Sequence, residues 1–281
     1  MSETWDCVIV GAGAAGLFCA GIAGQLGLKV LLIDHAPKVA EKIRISGGGR
    51  CNFTNREAGP ANYLGENPHF CRSALARYTA ADFIELIRKY RIPFHEKHKG
   101  QLFCDRSAED VIEMLLAECE AGRVTRWQPC KVLEVRRTAE GYETDTDRGT
   151  QRSARLVVAT GGLSIPKIGA TDFGFRLAKQ FGHRLMEPRP ALVPLTFDAP
   201  TWAAFAPLSG IALEVGIETG SGKKATRFLE DLLFTHRGLS GPAVLQISSF
   251  WQPGQPLRID LAPGRDLGAL LREAKGKSKR Q

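Results

Sequence analysis

No apolar run in this 281-residue sequence reaches the roughly 18 to 20 residues needed to span a bilayer, so a membrane-crossing helix is excluded. The start, MSETWD, lacks the basic region and apolar stretch of a secretory signal, and a cytoplasmic location is the expectation. No CxxC pair occurs. Cys7, Cys19, Cys51, Cys71, Cys104, Cys119 and Cys130 are odd in number and scattered, which excludes a disulfide framework and reads as free thiols. His95 and His98 lie three apart without further ligands at zinc spacing, so the expected metal content is none and a surface pair is expected. Interleaved aromatic and basic residues are also missing. The formal charge is +8, but Arg272, Lys275, Lys277, Lys279 and Arg280 against Glu273 account for half of it, and the expectation is no nucleic-acid partner. No feature fixes an oligomeric state.

At 43% hydrophobic and 24% charged, the composition is that of an ordinary globular protein of about two domains. Asp6–Val10 is a short apolar, β-branched run, Gly11–Gly16 a glycine turn, Leu17–Leu26 an apolar helix candidate and Lys29–Ile33 a second strand, which together predict a βαβ unit. Phe83, Leu86, Ile87 and Tyr90 recur at helical spacing. Ser107 with Asp110 matches a capping box ahead of a stripe of Val111, Ile112, Leu115 and Leu116, and Gly122 is placed to end that helix. Lys131–Val135, Gly141–Thr146 and Arg155–Ala159 predict a β-meander. Beyond Pro188 and Pro190 the pattern changes to strands at Leu192–Phe197, Ile211–Ile217, Thr226–Phe234 and Pro256–Leu261, with a helix starting near Pro242. The expected fold class is therefore α/β: a Rossmann-like domain with a β-meander over 1–190, and a β-rich domain over 191–281.

Gly11, Gly13 and Gly16 form a G-x-G-x-x-G that follows a strand and opens a helix, and Asp34 ends the next strand. Glycine there permits the tight turn, lets backbone approach a pyrophosphate and allows helix and strand to pack closely; the helix start offers free N–H groups to the anion. Asp34 would accept from ribose hydroxyls and repel a 2′-phosphate, which leaves FAD or NAD as the ligand. The stretch Ser46, Gly47, Gly48, Gly49, Arg50, Cys51, Asn52 favours FAD, because consecutive glycines let the main chain pack against phosphate or ring while Arg50 offers a charged donor fork. The competing reading is a flexible surface loop. An apolar strand ending at Ala159, Thr160, Gly161 and Gly162 should face the cofactor, since ligands lie beyond strand C-termini in open α/β sheets. There is no second G-x-G-x-x-G, so NAD(P)H, if used, binds transiently beside the flavin. His236 is the candidate catalytic acid or base, set against a hydrogen-bonded histidine at a turn. Cys51 has no resolving cysteine at two or three residues' distance and reads as structural.

The set GAGAAG, ISGGGRCNFTN, VVATGGLSIPKIGATDFGF and LLFTHRGLSGPAVLQISSFW resembles the BaiN-like NAD(P)/FAD-dependent oxidoreductases, also called the aminoacetone oxidase family of FAD-binding enzymes. The resemblance covers nearly the whole chain. It implies a flavoprotein core with an inserted β-rich domain beginning near 190. It also implies FAD contacts at Gly11, Gly13, Ala15, Gly16, Asp34, Lys42, the Ser46–Asn52 loop, Val132 and Ala159–Gly161. The activity implied is hydride transfer between flavin and a small organic substrate. Family members continue past the equivalent of Gln281 into G-E-x-L-D and G-G-Y-N-x-Q stretches that border the flavin, which are not found here. The expectation is an FAD-dependent oxidoreductase lacking the family's C-terminal part; the alternative is a catalytically inactive dinucleotide-binding or scaffold protein.

Overall fold

A computed structural model describes residues 4–222 and 225–277; the opening Met1–Glu3 and the last part of the basic end lie outside the described residues. The chain divides into two compact units, Met1–Leu185 and Met186–Gln281, slightly ahead of the position near 190 where the sequence pattern changes.

The first unit runs β1 (Thr4–Val10), α1 (Ala14–Gln25), β2 (Val30–Ile33), α2 (Glu41–Ile45), β3 (Asn52–Asn55), α3 (Arg72–Arg77), α4 (Ala80–Lys89), β4 (Phe94–Glu96), β5 (Gln101–Cys104), α5 (Glu109–Ala121), β6 (Thr125–Trp127), β7 (Val132–Arg137), β8 (Tyr142–Thr146), β9 (Gly149–Val158) and α6 (Phe173–Gln180). Its main sheet has the order β6-β2-β1-β9-β8-β7. β6, β2, β1 and β9 are parallel, and β9 then pairs antiparallel with β8, so one long strand joins the Rossmann half to the meander.

β1 is apolar on both faces because both faces are covered. Cys7 and Ile9 pack with Leu17, Ile112 and Leu115 on the helical side, while Val8 and Val10 pack with Leu31, Ile33 and Cys130 on the other. α1 and α5 approach closely through glycines: a Cβ on Gly122 would lie 2.9 Å from the Gly21 carbonyl oxygen and 3.0 Å from the Gln25 nitrogen. α4 begins with a capping box, Thr79 accepting from the Asp82 N–H at 3.2 Å and Asp82 accepting from the Thr79 N–H at 2.7 Å. α5 does not begin as expected. The residue capping its start is Ala108, and the Ser107 hydroxyl accepts from Glu109 at 3.1 Å rather than from Asp110. A second, three-stranded sheet, β3-β5-β4, is antiparallel.

The second unit runs β10 (Leu195–Thr196), α7 (Ala199–Trp202), β11 (Ala212–Thr219), β12 (Thr226–Thr235), β13 (Gly238–Ser240), α8 (Pro242–Ser248), β14 (Leu257–Asp260) and α9 (Leu267–Lys277). Its antiparallel sheet, β10-β13-β12-β11-β14, is covered by α8, whose Ala243, Val244 and Ile247 are buried against Val215, Ile217 and Leu232. Pro242 occupies the start of α8, where its missing N–H costs nothing. The strand expected over Leu192–Phe197 shrinks to Leu195–Thr196, because Leu192 takes a left-handed φ of 55° and Pro194 cannot donate to a ladder. Among the described residues, no helix is long and apolar enough to cross a membrane.

Candidate functional site

The turn from β1 into α1 uses its glycines in three different ways. Gly11 has a φ of 108°, and a Cβ there would fall 2.5 Å from the Ala159 carbonyl oxygen. A Cβ on Gly16 would collide with the Gly11 carbonyl oxygen, so this glycine lets α1 press onto the turn. Gly13 is neither crowded nor strained: its φ is −83°, and nothing lies within 4 Å of an added Cβ. What glycine provides at this position is therefore open space outside the protein, in the cleft that Gly13 lines. The start of α1 behind it carries no side-chain cap and no acidic residue in its first turn, and Ala14 and Ala15 are exposed at the cleft. Unsatisfied N–H groups and the positive end of the helix dipole face that space, an arrangement suited to a diphosphate.

Asp34 follows β2 at the same edge. Its Oδ2 accepts from the Ala12 N–H at 2.6 Å and its Oδ1 from the Ala36 N–H at 2.8 Å, so the carboxylate braces the glycine turn. Each oxygen keeps a further lone pair for a ribose hydroxyl. Asp34 lines both the main cleft, of about 1130 Å³, and a smaller recess of about 250 Å³ that Val132 also lines. The main cleft exceeds the roughly 300–1,000 Å³ of a typical small-molecule pocket and has room for a dinucleotide.

Besides Gly13, the cleft is lined by Lys42, Ser46, Cys51 and Asn52 and by Ala159, Thr160 and Gly161. Lys42 donates from Nζ to the Ser164 hydroxyl at 2.7 Å. The Ala159 N–H donates to the Val10 carbonyl at 2.8 Å, fixing the strand end, and Gly161 turns the chain away with a φ of 72°. Thus Gly11, Gly13, Ala15, Asp34, Lys42, Ser46, Cys51, Asn52, Ala159, Thr160 and Gly161 share the main cleft, Val132 the recess below it, and Gly16 packs behind.

Gly47, Gly48, Gly49 and Arg50 are not among the lining residues, although they sit in the middle of the expected contact loop. The three glycines have φ of 58°, 66° and 86°, so the run forms a left-handed turn that L side chains rarely adopt. Gly47 is also tight, since a Cβ would lie 2.8 Å from the Asn52 nitrogen and 2.9 Å from the Phe103 ring. The turn is anchored rather than loose: the Cys51 N–H donates to Ser46, the Ala108 N–H to Gly49 and the Cys104 N–H to Arg50, at 3.0, 2.8 and 2.9 Å. The glycines shape a turn that presents Ser46, Cys51 and Asn52, while Arg50 is exposed.

Burial raises the Cys51 thiol, with the Ser46 hydroxyl opposing it, and burial with the neighbouring Cys51 pushes the Cys104 thiol up to about 12. Both are held as neutral thiols, which are weak nucleophiles. His95 bonds through Nδ1 to Asp105 at 2.6 Å and stacks on Phe103. His236 occupies the exposed turn between β12 and β13, in the second unit. The sequence reading missed the aromatic lining of the cleft, Phe18, Phe53, Tyr78 and Phe83, which meet edge to face at 4.9 Å between Phe18 and Tyr78. Phe83 was visible only as part of a helical stripe, a pattern that does not separate core from cleft.

A family model described as the HI0933-like protein Rossmann domain matches residues 5–251. A ribosomal RNA dihydrouridine synthase of Escherichia coli is 51% identical over 271 residues, 96% of this chain and 67% of that protein. One of the same name from Haemophilus influenzae is 46% identical over 285 aligned positions, 100% of this chain and 70% of that protein. A 3-dehydro-bile acid delta(4,6)-reductase of Clostridium scindens is 27% identical over 266 positions, 91% of this chain and 64% of that protein. The chain thus spans about two thirds of the length of these relatives. Two outcomes correct the sequence reading. The names of the two more similar relatives differ from aminoacetone oxidase, so the resemblance holds at the level of the Rossmann family and not of that narrower group. Those names also specify RNA, which overturns the expectation of no nucleic-acid partner; half of the net charge lying at one end was a poor guide, since charge count does not reveal where a fold gathers aromatic and basic groups. The chain belongs to the HI0933-like Rossmann-domain family.

Proposed function

We propose that this chain binds FAD and acts as a reductase on uridine in ribosomal RNA, saturating the C5–C6 double bond. The observation that carries the reading is the 51% identity, over 96% of the chain, with a protein named for that reaction. The cleft supports it independently, because the uncrowded Gly13 beside an uncapped helix start is a cradle that a Cβ would fill. In this reading α1 and Gly13 hold the diphosphate, Asp34 the adenosine ribose, and Val132 borders the recess for the adenine. Ser46, Cys51, Asn52, Thr160 and Gly161 shape the wall at the far end, with Lys42 tied to Ser164 beside them.

Reduced FAD, when bound, supplies a hydride equivalent, and NAD(P)H is the transient donor that restores it. Saturating one C=C bond takes two electrons and two protons; with one hydrogen delivered as hydride, the other arrives as a proton. The aromatic lining from Phe18, Phe53, Tyr78 and Phe83 lowers the local polarity of the cleft.

The test combines an absorbance spectrum of the purified chain with FAD and a nucleoside mass analysis of unmodified ribosomal RNA after incubation with FAD and NAD(P)H. Flavin bands bleached by NAD(P)H, with new dihydrouridine in the RNA, are the expected result. A protein that takes up no FAD is instead a module without this activity. One that takes up FAD and reduces a steroid enone while leaving RNA untouched follows the 27% relative instead.

A further inference from the structure

Three phenylalanines of the second unit gather on one indole, that of Trp202. Trp202, 5% exposed, stacks face to face on Phe197 with centroids 4.8 Å apart and planes 8° apart. Phe234 lies parallel to the same indole within 22° at 6.2 Å, and Phe205 meets it at 5.2 Å. The indole is fixed by a hydrogen bond from its Nε1 to the Thr235 carbonyl at 2.8 Å. Phe197 and Phe205, by contrast, are 41% and 46% exposed. The Phe197 N–H donates to the Arg237 carbonyl at 3.1 Å, which ties the exposed His236-Arg237 turn to the Phe197 backbone. The adjacent acid is engaged elsewhere: Asp198 accepts from the Thr201 N–H and hydroxyl, both at 2.9 Å.

We propose that Phe197, backed by Trp202, with Phe205 and Arg237 around it, is a stacking platform for unpaired bases of RNA. The inference rests on the RNA reading above and assigns it a surface. A ring already stacked on a buried, hydrogen-bonded indole loses little freedom when a base lies on it, and every base offers a π face. The exposed Arg237, whose backbone pairs with Phe197, supplies a cation suited to the phosphate that follows the stacked base. A purely apolar partner would find a charged turn at the edge of its contact, whereas a nucleotide uses both the ring and the cation.

The experiment is fluorescence anisotropy of the 281-residue chain with a labelled, uridine-containing single-stranded RNA and with an oligonucleotide of equal length carrying abasic sites. Phe197→Ala is expected to weaken binding of the first by about fivefold to a hundredfold and to leave the abasic oligonucleotide unchanged. Phe197→Trp restores the affinity. Arg237→Ala weakens both oligonucleotides alike and lowers the slope of affinity against salt by about one. Equal binding of the base-containing RNA by wild type and Phe197→Ala overturns the platform, as does a Phe197-dependent dimer with unchanged RNA affinity. Dihydrouridine formation measured on the same variants separates the two ideas. If Phe197→Ala binds and modifies RNA as wild type does, the platform falls and the function stands; if wild type neither binds nor modifies RNA, both fall.

Discussion

The Asp34 Oδ2 accepts a hydrogen bond from the Ala12 N–H at 2.6 Å, so the acid that follows β2 braces the glycine turn at the cleft. Its second oxygen takes the Ala36 N–H at 2.8 Å. In the proposed function the same carboxylate serves both structure and binding.

Asp34→Ala therefore leaves two backbone donors without their acceptor, at a cost of about 1–3 kcal/mol. The expected thermal midpoint falls by roughly 2–10 °C, together with FAD affinity. Asp34→Asn keeps one acceptor oxygen and should lose less of both. Calorimetry and FAD titration on the two variants check this, and an unchanged midpoint in Asp34→Ala would contradict the bracing role.

The contact between α1 and α5 makes a separate demand. A Cβ on Gly24 would overlap the Gly122 carbonyl, and one on Gly122 would press on Gly21 and Gln25. Gly24→Ala and Gly122→Ala are each expected to destabilise the chain by about 1–3 kcal/mol, measured by urea unfolding, although alanine favours an isolated helix.

At the same interface, burial pushes the Glu118 carboxyl up, but hydrogen bonds from Gln25, Tyr90 and Lys89 outweigh it and hold the group at about 2. A carboxylate lowered in the folded state contributes stability that is complete above its unfolded value and is lost as the pH falls toward its folded one. The thermal midpoint should thus drop by a few degrees, about 2–6 °C, as the pH falls from about 4.5 to about 2 on account of this group. Glu118→Gln should remove that part of the pH dependence, and an identical acid profile in the variant would contradict it.

Much of this was legible in the sequence because local pattern and tertiary role coincide. The βαβ unit is written in an apolar strand, a glycine turn and an acid at the next strand's end, and Gly11, Gly13, Asp34 and Ala159–Gly161 do meet at one cleft. Gly122 shows the limit. Placed by pattern as the stop of α5, it has an ordinary φ of −81°; Arg123 takes the left-handed position at φ 53°, and Gly122 is small because α1 passes over it. The run Gly47–Gly49 shows the same ambiguity, since glycine answers a conformational need as readily as a ligand's approach. The gathering of Phe197, Trp202 and Phe205 beside Arg237 was invisible because the pairing of β10 with β13 brings together residues far apart in the chain.

The central claim is that open space at Gly13 exists for a diphosphate, and FAD titration of Gly13→Ala beside Gly16→Ala tests it most directly. Gly13→Ala is expected to fold, melting within a few degrees of wild type, yet to bind FAD at least about tenfold more weakly. Gly16→Ala, whose Cβ would strike the Gly11 carbonyl, is expected to lose stability first. If Gly13→Ala takes up FAD as tightly as wild type, the diphosphate does not rest there and the account is wrong.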